Sequence, residues 1–257
     1  MNVSSVVTFT QGDWDVYARC YDTLLRLTPY QSLRDEVVAC VQPNATDVIL
    51  DAGCGTGNLL GAMHHMCREA RLCGVDLSTS MLVLAQMKIK DEKNVALARA
   101  SLNEPLPFQD GMFSKIASMN VLYAVPDPLR TLRELFRLLV CGGTFVLVTP
   151  KRGYDNGHIL KEHAHSVQPD EYWEDAHASP EREECLIREA IHDELLVQAM
   201  LHIAHHNRLI AQNAIFHFFT EDELCALIDE SGFAIQSLTQ TYAKQAFIVV
   251  ATKKEMS

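Results

Sequence analysis

The chain has 257 residues, 48% of them hydrophobic, and a formal net charge of -11. That is ample apolar material for one α/β domain with an insertion, or one domain plus a small cap. The acidic balance, with no cluster of Lys and Arg, speaks against a nucleic-acid face, and no apolar run reaches the roughly 18 residues of a membrane-spanning helix. Eight cysteines without a C-x-x-C pair, and an opening stretch with no basic segment ahead of an apolar one, predict a cytoplasmic protein with reduced thiols.

Residues 12 to 41 carry apolar side chains at helical spacing and predict two short helices split at Thr28-Pro29. The stripe of the first (Trp14, Tyr17, Ala18, Tyr21, Leu24 and Leu25) predicts a helix packed on a sheet. Val48-Ile49-Leu50 then reads as a short buried strand. Asp51-Ala52-Gly53-Cys54-Gly55-Thr56-Gly57 is a turn with alternating glycines, and Asn58 opens a helix running to about Arg68. Strand, glycine turn and helix N-terminus together make a ligand-binding edge of an open α/β sheet. A dinucleotide fingerprint would need glycine at position 58, where this chain has Asn58.

Residues 71 to 76 read as a second strand ending in the acid Asp76. Ser78 is an N-cap for a helix through Lys88, and residues 95 to 100 form a third strand. After the loop Ser101-Leu102-Asn103-Glu104-Pro105-Leu106-Pro107-Phe108, residues 113 to 118 alternate like a strand and lead into Asn120, Val121 and Tyr123. Asp127-Pro128 starts a helix with Leu129, Leu132, Leu135, Phe136 and Leu139 on its buried face, and Gly142-Gly143 is expected to end it. Residues 144 to 150 are an apolar central strand. Thr220 and Glu223 predict a capping box on a later helix that ends near Gly232, followed by strands near 234–238 and 246–251.

Asp51-x-Gly53-x-Gly55-x-Gly57, the strand-end acid Asp76, the Leu106-Pro107-Phe108 segment and the Leu-Leu-x-x-Gly-Gly phrase at 138–143 resemble the class I S-adenosylmethionine-dependent methyltransferases. The resemblance covers about residues 45 to 150 and resumes at Phe219–Leu224. It implies an α/β fold, a seven-stranded doubly wound sheet that is mostly parallel with an antiparallel last strand, and a helical lid insertion. It also implies S-adenosyl-L-methionine as cofactor and S-adenosyl-L-homocysteine as its product. By the same resemblance Asp51, Gly53, Cys54, Gly55 and Gly57 hold the methionine side and Asp76 the ribose. Leu77, Met81, Ser101 and Leu102 adjoin the adenine, and Asn120 and Val121 the sulfonium. Tyr21, on a helix that folds over the cofactor in that family, is a further cofactor residue. Tyr17, Tyr123, Tyr154 and His163 are candidates for the substrate pocket. Ser101 stands where the family commonly has an acid, so the adenine amino group needs another acceptor, for which Asn103 or the backbone near Leu102 is available.

Residues 151 to 219 lie where the family places variable substrate-binding inserts. They predict one helix around 157–165 and a long one from about Glu181 to Asn213, together a cap over the active site. Nine of the 11 histidines fall in this span, with His202 and His206 four apart and His163 near His165. Without an H-E-x-x-H or Cys-His framework the expectation is no metal; a histidine here could act as general base, although none is singled out, and the catalytic residue stays unknown.

The expected organisation is a helical lid segment at 1–44, a cofactor-binding core at 45–150, a cap at 151–219, and a closing helix and strands at 220–257. The expected function is in-line methyl transfer to an O, N, S or C nucleophile of a small molecule, with no nucleic-acid or membrane partner and an oligomeric state left open. Non-methyl chemistry on the same cofactor, or a non-catalytic cofactor-binding module, is the alternative.

Overall fold

The computed structural model describes residues 11–90, 92–167, 180–191, 193–213 and 216–254. The first half of the chain folds as α1 (Gln11–Tyr21), a 3-10 turn at Asp22–Arg26, α2 (Thr28–Val41), β1 (Val48–Ala52), α3 (Asn58–Met66), β2 (Arg71–Asp76), α4 (Thr79–Lys88) and β3 (Val95–Arg99). Then come β4 (Phe113–Met119), α5 (Pro128–Leu138), β5 (Leu139–Pro150), α6 (Asn156–Val167), α7 (Pro180–Ala190), α8 (Glu194–Asn213), α9 (Glu221–Glu230), β6 (Phe233–Thr241) and β7 (Ala246–Lys253). Among the described residues, no helix is long and apolar enough to cross a membrane.

The strands make one sheet in the order β3-β2-β1-β4-β5-β7-β6. Neighbours from β3 to β5 are parallel, and β7 is antiparallel to both β5 and β6. This is the seven-stranded doubly wound sheet that the motifs imply. Side chains alternate across it. Ile49 faces a core layer with Leu33, Val37, Leu60 and Met63, whereas Leu50 faces the opposite layer with Leu132, Leu135, Leu224 and Phe233. Each such side chain contributes about 1.5–3 kcal/mol by leaving water. The strand order reverses between β1 and β4, so a crevice opens beyond their carboxyl ends, at Ala52 and Met119.

Local chemistry sets most boundaries. The Asp127 side chain accepts from Arg130 N at 3.0 Å with Pro128 in the first turn of α5, and the Thr220–Glu223 capping box is formed. Four expectations are corrected. Pro29 lies in the first turn of α2, where its missing N–H costs nothing, so the helix break precedes Thr28. Gly142 and Gly143 lie inside β5 rather than ending α5. Register against β4 jumps from Phe113–Leu139 to Lys115–Thr144, and the bulge puts Gly142 at φ +71°. The long insert helix is two helices, α7 and α8, because Asp193 accepts from Leu196 N at 3.0 Å and caps the second. Finally, α1 packs on α4 and α8 above the strand ends rather than on the sheet.

Candidate active site

The turn after β1 is fixed by its neighbours. The amides of Gly53 and Cys54 both donate to Val75 O at 2.9 Å, binding the turn to β2. The Asp76 carboxylate accepts from Gly55 N through one oxygen and from Ser78 N through the other, each at 2.8 Å. Gly53 has φ +82°, and a Cβ there would lie 2.4 Å from Val121 Cγ2, so the turn and the end of β4 approach more closely than any side chain allows. Ser78 caps α4 as expected, accepting from Met81 N at 3.1 Å.

A cavity of about 330 Å³ opens over this turn. Gly53, Gly55, Asp76, Leu77, Met81, Ser101, Leu102, Asn120 and Val121 line it, with Tyr21 and Trp14 of α1 above. The sequence-predicted cofactor residues therefore converge, with three exceptions. Asp51, Cys54 and Gly57 do not line the cavity, because each packs against the fold instead. The Cys54 thiol packs over Gly74, and burial pushes its pKa up. Gly57 caps α3 against Ala85. Asp51 is buried, and its Oδ2 has no hydrogen-bond partner. Desolvation and then the charge of Asp76 push its pKa up to about 7.

Asn120 follows β4 in the left-handed region at φ +57°, held by its amide donating to Val148 O at 2.9 Å. Its Oδ1 is buried and unpartnered. Such strain concentrates at functional sites. Asn120, Tyr21 and Trp14 also line a second cavity of about 260 Å³, so they form the wall common to both. Tyr17, Tyr123 and Tyr154 line this second chamber. Tyr123 and Tyr154 flank Phe218 in near-parallel stacks, with centroids 6.0 and 6.2 Å apart. Burial pushes the Tyr123 phenol up to about 12, and those of Tyr21, Tyr30 and Tyr154 also upward. Helices α6, α7 and α8 roof the chamber through residues such as Ile159, Ile187 and Ile203.

His163 is corrected: it does not line the chamber. It is buried, with Nδ1 3.3 Å from both Thr28 N and Oγ1, where it ties α6 to α2, and burial lowers its pKa. Among the described residues no histidine lines either cavity, and no group of three or more His, Cys, Asp or Glu could hold a metal. His202 is exposed, and the side chain of His206 lies outside the described residues.

Several cavity-lining positions are not legible in the sequence. Trp14 lies on a stripe that reads as sheet packing. Phe216 and Phe218, alternating around His217, carry a strand-like signal that points both rings one way. Glu183 in an acid-rich helix start gave no signal at all. Two polar clasps also join α1 and the turn after it to the site. Asp15 accepts from Ser78 Oγ and from Ser80 N. Asp22 accepts from Thr56 Oγ1 and Lys88 Nζ, both at 2.6 Å, and Lys88 also reaches Asn58 Oδ1.

The profile of the family described as "Methyltransferase domain" matches residues 50–147. A demethylmenaquinone methyltransferase of Lactococcus lactis is 34% identical over 103 residues, 39% of this chain and 40% of the relative. The chain spans about half the length of the curated relatives it matches. Among solved structures, a SAM-dependent methyltransferase from Aquifex aeolicus superposes with a TM-score of 0.58 at 15% identity, over 95% of this chain and 99% of that one. Geranyl diphosphate C-methyltransferase from Streptomyces coelicolor, in complex with S-adenosyl-L-homocysteine, also gives 0.58, at 14% identity over 87% and 79%. At these identities the structures speak for the fold. With the alternating-glycine turn and Asp76 at the end of β2, residues 50–147 carry the methyltransferase domain, and the chain has the fold of the S-adenosylmethionine-dependent methyltransferases.

Proposed function

We propose that this chain transfers the methyl group of S-adenosylmethionine to a small molecule held in the aromatic chamber. The observation that carries the reading is the wall shared by the two cavities: Asn120, Tyr21 and Trp14 separate a glycine-turn site from a roofed aromatic one. The residues present fit the cofactor. Asn120 Oδ1 is a buried acceptor in need of a donor, which an ammonium supplies. Asp76 spends acceptor capacity on the Gly55 and Ser78 amides, yet a carboxylate offers about four lone-pair sites, leaving room for a ribose hydroxyl. Leu77, Met81 and Leu102 offer apolar surface to adenine, with Ser101 beside them. Asp51 adds a second negative charge beneath the turn as it ionises around pH 7, and a cationic ligand favours that ionised form.

Bound there, the cofactor supplies an electrophilic methyl group on a sulfonium leaving group. The protein's own contribution is alignment and exclusion of water. Trp14 and Tyr21 close the cofactor side, and α6 to α8 close the acceptor side. The chamber phenols are protonated near neutrality, and burial pushes Tyr123 and Tyr154 further upward, so they can donate hydrogen bonds. The roof favours a small acceptor over a polymer.

The test is incubation of the protein with methyl-labelled S-adenosylmethionine and a host extract, with Asp76→Ala as control. Label in a small organic product, absent with the variant, is expected. Label in protein or RNA would overturn the small-molecule reading, and no label despite S-adenosylhomocysteine binding would overturn methyl transfer.

A further inference from the structure

Six of the chain's seven tyrosines line the second chamber: Tyr17, Tyr21, Tyr30, Tyr123, Tyr154 and Tyr242. Tyr242 comes from the turn between β6 and β7. There Tyr242, Ala243 and Lys244 stand in succession in the left-handed region, at φ +53°, +55° and +59°. That conformation is unfavourable for a bulky side chain and persists only where neighbours over-determine it. The buried Gln245 does so. Its amide donates to Tyr242 O at 3.0 Å, its carbonyl accepts from Lys151 N at 3.0 Å, and its Oε1 accepts from Asp155 N at 2.9 Å. The turn is thereby fastened to the segment between β5 and α6, and Tyr242 is held in the chamber wall.

The polar groups of the chamber divide into two kinds. Tyr154 Oη donates to Asn156 Oδ1 at 2.8 Å, Asn156 Nδ2 donates to Glu183 Oε1 at 3.4 Å, and Glu183 has a further partner, so this group is satisfied within the protein. The phenols of Tyr123 and Tyr242 make no hydrogen bond among the described residues, and burial raises the pKa of both. Each is an O–H donor near neutrality. Resting on the methyl-transfer reading above, we infer that Tyr242 and Tyr123 bind the methyl acceptor by donating to one of its oxygens, and that this acceptor is a neutral aromatic compound carrying a hydroxyl or carbonyl group. A planar ring matches the ring faces of the wall, where Phe218 stacks with both Tyr123 and Tyr154. An anion would meet those faces with no Lys, Arg or His among the described lining residues to offset them. A cation would gain from the ring faces, but the Glu183 carboxylate is already engaged, and dehydrating an ammonium costs more than the rings return. A cavity of about 260 Å³ lies near the small end of ligand sites, which suits one or two rings rather than a long chain.

Four probes on one ring system separate the cases: 2-naphthol, naphthalene, 2-naphthoate and 2-naphthylmethylamine, titrated calorimetrically at neutral pH into the full chain saturated with S-adenosylhomocysteine. The expected result is that 2-naphthol binds at least ~10-fold more tightly than the carboxylate or the ammonium probe. It should also bind ~5- to 20-fold more tightly than naphthalene, which has the rings but no oxygen. Tyr242→Phe and Tyr123→Phe each remove one O–H and keep the ring, and each should weaken 2-naphthol ~2- to 5-fold. The double variant should bind 2-naphthol within ~2-fold of naphthalene, while naphthalene and S-adenosylhomocysteine affinities hold, a split that a merely structural loss would not give. The inference is overturned if the carboxylate or the ammonium probe binds as tightly as 2-naphthol. It is equally overturned if Tyr242→Phe leaves 2-naphthol binding unchanged, or if none of the four binds to the loaded protein. A chain that does not bind S-adenosylhomocysteine at all would overturn the methyl-transfer reading, and this inference with it.

Discussion

Asp76 and Gly55 are joined by a 2.8 Å hydrogen bond from the glycine amide to the carboxylate, so the acid at the end of β2 also holds the turn after β1. An asparagine at 76 can present an oxygen to Gly55 or to Ser78 but not to both. Asp76→Asn is therefore expected to leave one buried amide unsatisfied, at about 1–3 kcal/mol, and to weaken S-adenosylhomocysteine binding by roughly 10- to 100-fold. Calorimetric titration and thermal unfolding of the same variant read the two effects separately. Unchanged affinity would remove Asp76 from the cofactor site.

The close approach of Gly53 to Val121 makes a second prediction. Gly53→Ala places a Cβ 2.4 Å from Val121 Cγ2 and imposes a positive φ on an L residue. The conformation alone costs about 1–2 kcal/mol. Cofactor binding should fall by roughly an order of magnitude or more. Adding Val121→Ala removes the clash but not the φ penalty, so the double variant should recover part of the loss. A double-mutant cycle with zero coupling would contradict the geometry.

Asp51 should give the protein a measurable pH dependence. Its folded-state pKa is pushed from 3.8 up to about 7, above the unfolded value. Its contribution to stability is therefore fully present below about pH 4 and is lost as pH rises through about 7. At about 1.4 kcal/mol per pH unit, the window holds at most a few kcal/mol. The ligand-free protein should unfold more readily at pH 8 than at pH 5, and Asp51→Asn should flatten that slope. Cofactor affinity should run the other way, tightening as pH rises through 7, because the ionised carboxylate lies beneath a cationic ligand. Urea titrations and calorimetry across pH 5 to 8 check both signs.

Lys88 joins the turn after α1 to the glycine turn and α3, meeting Asp22, Thr56 and Asn58. Its ion pair is partly exposed, so its worth is on the order of 1 kcal/mol after solvent screening. Lys88→Met should speed amide exchange in residues 11–26 by up to roughly 5-fold and quicken cofactor release, with little change in the exchange of the sheet. Equal acceleration across the sheet would mean global destabilisation rather than a loosened clasp.

The parts of this protein legible in its sequence are those written within one element. The alternation at Ile49 and Leu50, the glycine spacing from Gly53 to Gly57, the acid Asp76 and the cap at Thr220 each act over a few residues, so order in the chain implies order in space. Gly142 and Gly143 misled because two glycines end a helix and form a strand bulge equally well, and only pairing with β4 selects the second. The single long helix expected from Glu181 failed for a related reason: apolar spacing continues across Asp193, while the cap that divides it depends on one side chain.

The sequence by itself determined the sheet, the glycine turn and the cofactor-side acid, because hydrophobic period and backbone freedom are local properties. Only the tertiary structure decided that Trp14 faces a cavity, that His163 braces α2, and that Glu183 and Phe218 join Tyr123 and Tyr154 in one chamber. Those residues come from separate elements, and what brings them together is burial of the lid helices over the strand ends, a free energy that no short window of the chain contains.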